Sequence, residues 1–107
     1  MTDAGSDDKT SALLAALWLR NRPLIEERLV QLDRAAAAAV TGALSEDMCE
    51  EASHTAHKLA GSLGMYGYDE GTRIAREIEA LLGKDALDAA QLETLVAELR
   101  KTVFPEG

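Results

Sequence analysis

The run His54-Thr55-Ala56-His57-Lys58-Leu59-Ala60-Gly61-Ser62-Leu63-Gly64-Met65-Tyr66-Gly67 decides the fold. Placed on a helix, Ala52, Ala56, Leu59, Leu63 and Tyr66 recur at alternating spacings of four and three, which is one helical stripe. His57 stands two positions before Leu59, about 200° around the helix, and so on the side opposite that stripe. Gly61 and Gly64 follow one and two turns along the His57 side. The helix therefore buries small and aliphatic groups and turns towards water an imidazole beside a strip almost without side chains. Each interior glycine costs roughly 1 kcal/mol relative to alanine. Folding alone gives no reason for that cost on a solvent-facing strip, whereas a surface that something else must approach closely does.

Outward from this run, the same periodicity fills the chain. Ser45 is the N-cap, Glu46 and Asp47 suit the first turn of the helix dipole, and Gly67 is the stop. Before it, Thr10 or Ser11 is placed to cap a first helix with Leu13, Leu14, Leu17 and Trp18 on its apolar side. Leu24, Ile25, Leu29, Leu32, Ala36, Ala39 and Val40 continue nearly the same stripe beyond Pro23, and Thr41 and Gly42 end it. Either one long helix kinks at Pro23, or a short helix ends at Asn21, which then caps a second with Pro23 in its tolerant first turn. After Gly67, Tyr68 or Asp69 opens a helix with the stripe Ile74, Ala75, Ile78, Leu81 and Leu82, stopped at Gly83. Asp88 and Gln91 form a capping-box pattern for the last helix, which buries Leu92, Leu95, Val96, Leu99 and Val103 and ends before Pro105. These segments and their short connections predict an all-α fold: an antiparallel up-and-down four-helix bundle with a short or kinked N-terminal helix. Residues 1–8 are predicted to be a disordered leader and residues 9–104 a single domain.

Composition narrows the function. The 107 residues suffice for one core, and hydrophobic residues make up 47% of them but aromatic ones only 4%, the balance of an alanine- and leucine-rich helical protein. A net charge of −8 argues against nucleic acid and against anionic membrane surfaces as partners. The longest apolar tract, Ala35 to Val40, is far short of a membrane span, and the polar, acidic N-terminus does not read as a signal peptide. Cys49 is the sole cysteine, so an internal disulfide is impossible and a cytoplasmic setting fits.

A histidine followed by glycines four, seven and ten positions on, here His57, Gly61, Gly64 and Gly67, resembles the histidine-containing phosphotransfer (HPt) domain family. Ala56, Leu59 and the pair Ile78–Glu79 also fit its pattern, and the close match runs from about Thr55 to Leu82. The resemblance implies a four-helix bundle and a phosphorelay role. His57 would accept a phosphoryl group from an aspartyl phosphate on a receiver domain and pass it to another. The implied partners are response-regulator receiver domains and a hybrid histidine kinase. The domain would be a phosphoryl carrier and no enzyme in its own right, with no cofactor of its own and no metal site, Mg²⁺ being supplied in the receiver. The sequence agrees in lacking both G-x-x-x-x-G-K-[ST] and G-x-G-x-x-G. A monomer is expected.

The sequence departs from the family pattern in one respect. Many members carry a lysine three positions after the histidine, where this chain has Ala60. Lys58, about 100° around the helix from His57, and Arg73 and Arg76 on the following helix are the replacement candidates. His54, one turn before His57, is read as a surface neighbour that tunes polarity. A metal pair of these two histidines would lack further ligands. Glu79 is either a site residue or simply a partner for a nearby cation. The other functional class is a helical adaptor that binds partners on the same face with a silent histidine.

Overall fold

The computed structural model describes the backbone of residues 3–106 and the side chains from Lys9 onward. Four helices follow one another: α1 (Asp3–Val40), α2 (Glu46–Met65), α3 (Asp69–Leu82) and α4 (Ala89–Val103). Each helix packs on its neighbours in sequence, and α1 also packs on α4. The backbones of the diagonal pairs α1–α3 and α2–α4 stay further apart, among the described residues, so the four form a closed square. Cross-helix pairs fix the directions. Asn21 meets Tyr66, Arg28 meets Ser62 and Gln31 meets Thr55, so α1 and α2 are antiparallel. Ala60 with Thr72 and His57 with Glu79 make α2 and α3 antiparallel in the same way. This is the up-and-down bundle expected from the periodicity.

The core is aliphatic. Ile25, Leu29 and Leu32 of α1, Ala56, Leu59 and Leu63 of α2, Ile74 and Ile78 of α3 and Leu92 and Leu99 of α4 are all essentially inaccessible. The α2 stripe read from sequence is buried through Leu63, with Tyr66 half-buried at its end. Chain reversals are chemically explicit. Gly42 and Gly67 have φ of 74° and 83°, the left-handed region in which a Cβ is strained. In both, the glycine N–H and the next N–H bond back to the last turn, Gly42 to Ala39 and Ala43 to Ala38, Gly67 to Gly64 and Tyr68 to Leu63. The Ser45 hydroxyl accepts from the Met48 N–H and the Asp88 carboxylate from the Gln91 N–H, as the caps predicted.

α1 follows the single-helix reading at Pro23 but begins earlier than the capping residues suggested. It is a single helix of 38 residues, continuous through Pro23, with Thr10 and Ser11 inside it and not at its start. Asn21 is no cap: its amide donates to the Leu17 carbonyl at 3.1 Å and to the Tyr66 hydroxyl at 2.7 Å. Proline's missing N–H leaves the Leu19 carbonyl without its helical partner, but Leu19 and Pro23 face water, where that loss is cheap. The backbone of Asp3–Asp8, placed in a leader by the sequence, is continuous with α1, while Met1 and Thr2 lie outside the described residues. Adding residues to an existing helix gains one hydrogen bond per residue fixed without the cost of a new nucleus.

At about 1.5 Å per residue α1 is roughly twice as long as α2. It sets the 56 Å long dimension of a molecule 22 Å across. Leu13 and Leu14, predicted to be covered, are therefore exposed on the overhang, and Leu24 and Val40 lie outside the buried stripe. Burial begins at Leu17 and Trp18. There the four aromatic residues of the chain meet: the Trp18 ring lies 5.3 Å from Tyr66, 4.8 Å from Tyr68 and 6.0 Å from Phe104. This cluster ties α1 to the α2–α3 turn and to the end of α4. Trp18→Ala is expected to cost about 2–4 kcal/mol, the range for truncating a large aromatic that is partly covered. Urea unfolding followed by circular dichroism measures it. A loss under about 0.5 kcal/mol would mean the cluster is surface decoration.

Candidate functional site

The wheel of α2 separates two flanks around His57. Thr55 and Ser62 touch α1, and Ala60 lies against α3. His57 stands between them with 74% of its side chain exposed. Its Nδ1 lies 3.1 Å from the Glu79 Oε2 on α3, and Glu79 is about one-third exposed. A carboxylate only accepts hydrogen bonds, so in the neutral ring this contact favours the tautomer with its proton on Nδ1 and the Nε2 lone pair directed away from Glu79.

The glycines beside His57 have different physical reasons. A Cβ on Gly61 would meet nothing within 4 Å. A Cβ on Gly64 would lie 3.2 Å from the Thr72 hydroxyl, which donates at 2.9 Å to the Ala60 carbonyl. Gly64 therefore lets α3 approach, Gly67 permits the left-handed turn, and Gly61 leaves open surface. Thr72 was not singled out by sequence, because a single threonine early in a helix carries no pattern.

His57, Glu79, Gly61 and Gly64 thus share one strip with the α2–α3 seam, and Arg76 is exposed on the α3 side of it. His54 and Lys58 do not join them. Both line a groove between α1 and α2 with Gln31, Arg34, Glu51 and Thr55. Arg73 is also removed as a free cation, since it donates to both Glu70 oxygens at 2.7 and 2.8 Å and to Glu77 at 2.6 Å. The Arg73 hydrogen bonds hold the Glu70 carboxyl below its usual range and push the guanidinium further up. The pair is intact at neutral pH and fades as pH falls through the lowered Glu70 value. Arg28 is a further basic neighbour that the sequence did not mark; its Nη1 donates to the Ser62 hydroxyl at 3.3 Å on the α1 flank.

The four-helix bundle thus presents one exposed imidazole, with a carboxylate at Nδ1, beside the surface that Gly61 leaves open. The family model described as the Hpt domain matches residues 22–103, and the chain belongs to this family of phosphotransfer-type domains. Among its relatives, protein RcaC of Microchaete diplosiphon is 31% identical over 102 residues, covering 92% of this chain. The chain spans only 16% of that relative's length. No solved structure matches. The matched segment begins at Arg22, so the overhanging half of α1 lies outside it. Family membership implies two-component partners and a carrier role. Among the described residues, no helix is long and apolar enough to cross a membrane.

Proposed function

We propose that this domain is a phosphorelay carrier in which His57 accepts a phosphoryl group from a receiver-domain aspartyl phosphate and passes it to a second receiver. The observation that carries the reading is the His57–Glu79 contact at 3.1 Å on an otherwise exposed imidazole. It supports Nε2 as the nucleophile. The Nε2 lone pair forms the N–P bond while the P–O bond of the acyl phosphate breaks, and that electron pair stays on the receiver's carboxylate oxygen. Nε2 carries no proton, so none has to leave, and Nδ1 keeps its proton towards Glu79. The reverse sequence delivers the group to the next aspartate. Transfer of this kind depends on positioning and charge stabilisation more than on covalent work by the protein. The Mg²⁺ that such transfer uses would reside in the receiver's pocket, and a hybrid histidine kinase would load that receiver.

The open strip at Gly61 supports the same reading, because the receiver must bring its pocket within bonding distance of Nε2. A monomer working in the cytoplasm is consistent with the single cysteine and with a charge of −8. The test is incubation of the full chain with phosphorylated receivers of the same organism. The expected result is movement of label to this protein as acid-labile, base-stable phosphate. Binding of a receiver without transfer would replace the carrier by an adaptor with a silent histidine.

A further inference from the structure

We propose that Arg76 supplies the positive charge that a phosphoryl group on His57 requires, in the place of the lysine that Ala60 does not provide; this rests on the reading of His57 as the phosphoacceptor. Two contacts fix the α2–α3 register. His57 meets Glu79, and the Ala60 carbonyl meets the Thr72 hydroxyl. Arg76 comes four residues after Thr72 and three before Glu79, so all three lie on one face of α3, each about a turn from the next. That face borders the strip between the two contacts, alongside Gly61. Gly61 has no side chain, and nothing stands within 4 Å of where its Cβ would be. Arg76 lines a shallow groove with Gly64, Asp69, Thr72, Arg73, Glu77 and Ala80.

Of the other cations near this face, Arg73 is held by Glu70 and Glu77, Arg28 donates to the Ser62 hydroxyl on the α1 flank, and Lys58 lines the groove on that same flank. Among the described residues, Arg76 has no carboxylate within ion-pair distance, although Glu77 and Glu79 are near in sequence. The need for a cation is acute at this site. A phosphoryl group on Nε2 carries about −1.5 to −2 charges, and the Glu79 carboxylate stands at the other nitrogen of the same ring. Like charges held at one imidazole oppose each other unless a third group offsets them. A guanidinium meets two phosphoryl oxygens with its fork, and Arg76 is exposed on α3, with a stem long enough to swing towards the strip.

The test uses phosphoramidate as the donor, so that no receiver surface contributes. The Nε2–P bond forms, the P–N bond of phosphoramidate breaks, and the nitrogen leaves as ammonia with the electron pair. Formation rate and half-life of phosphohistidine are followed by ³¹P NMR for the wild type, Arg76→Gln, Arg76→Lys, Lys58→Gln and Lys101→Gln. Urea midpoints verify that each variant is folded. Arg76→Gln is expected to lower the formation rate or the half-life about tenfold, as loss of a charge-assisted contact would. Arg76→Lys recovers part of it, and Lys101→Gln, which removes a charge on the distant end of α4, changes neither. Wild-type rates in Arg76→Gln overturn the proposal, as does a larger loss in Lys58→Gln. Absence of label on His57 in the wild type is a different result, and it overturns the phosphoacceptor reading on which the proposal stands.

Discussion

His57→Gln is expected to abolish acid-labile labelling by a phosphorylated receiver completely, while His54→Gln keeps it. The chain has only these two histidines, one turn apart on the same helix. Their surroundings differ. His57 has a carboxylate at Nδ1 and the open Gly61 beside it, so one tautomer is held and Nε2 faces outwards. His54 lies on the α1 flank in a groove with Glu51, Arg34 and Lys58. Glutamine keeps the polarity and helix propensity of the site, and His57 is exposed. The urea midpoint should therefore move by no more than about 0.5 kcal/mol equivalent, the usual range for surface substitutions. Loss of label with an unchanged midpoint assigns the acceptor. Label retained in His57→Gln and lost in His54→Gln would assign it to the other imidazole.

Glu79→Gln separates orientation from charge at the same site. A glutamine carbonyl still accepts from Nδ1–H, so Nε2 remains the nucleophile, and the negative charge on the far side of the ring from the phosphoryl group is gone. Transfer should persist in this variant. Glu79→Leu offers no acceptor, frees the ring to exchange tautomers, and should slow transfer by severalfold.

The sequence made the helices legible because burial in a bundle imposes a period, and Ala52, Ala56, Leu59 and Leu63 obey it without exception. The stops were legible because Gly42 and Gly67 take up a backbone conformation that few other residues accept. The start of α1 was not. Capping residues mark where a helix is able to begin, and Thr10 and Ser11 instead sit on an exposed helix face. Leu13 and Leu14 belong to the same stripe as Ile25, but periodicity along one helix says nothing about how far its neighbours reach. The site shows the same division. His57, Gly61 and Gly64 share one helix and can be placed on one side of it from spacing alone. That Glu79 and Arg76 border the strip while Lys58 turns to the α1 flank depends on the α2–α3 register, which no local pattern encodes.

Gly61→Gln is expected to fold at least as well as the wild type and to lose transfer from a receiver on the order of 10²-fold, the scale of a roughly ångström-sized misplacement of reacting groups. Two readings of this glycine compete. If it lets a neighbouring helix pack closely, any side chain overpacks the bundle, at roughly 1–3 kcal/mol. If it clears the surface for a partner, side chains are harmless to the fold. The space around Gly61 favours the second, with nothing within 4 Å of an added Cβ, in contrast to Gly64 with the Thr72 hydroxyl at 3.2 Å. Gly61→Ala should accordingly raise stability by about 1 kcal/mol, the helix-propensity difference, which in a domain of this size is roughly 4–8 °C in Tm. The longer glutamine reaches over the strip where a receiver must seat. Phosphoramidate is small enough to reach Nε2 past it, so chemical labelling of His57 should survive in Gly61→Gln while receiver-dependent labelling falls. Destabilised variants with normal transfer would instead make Gly61 a packing residue, and loss of both kinds of labelling in a folded protein would mean that the new side chain covers the imidazole itself.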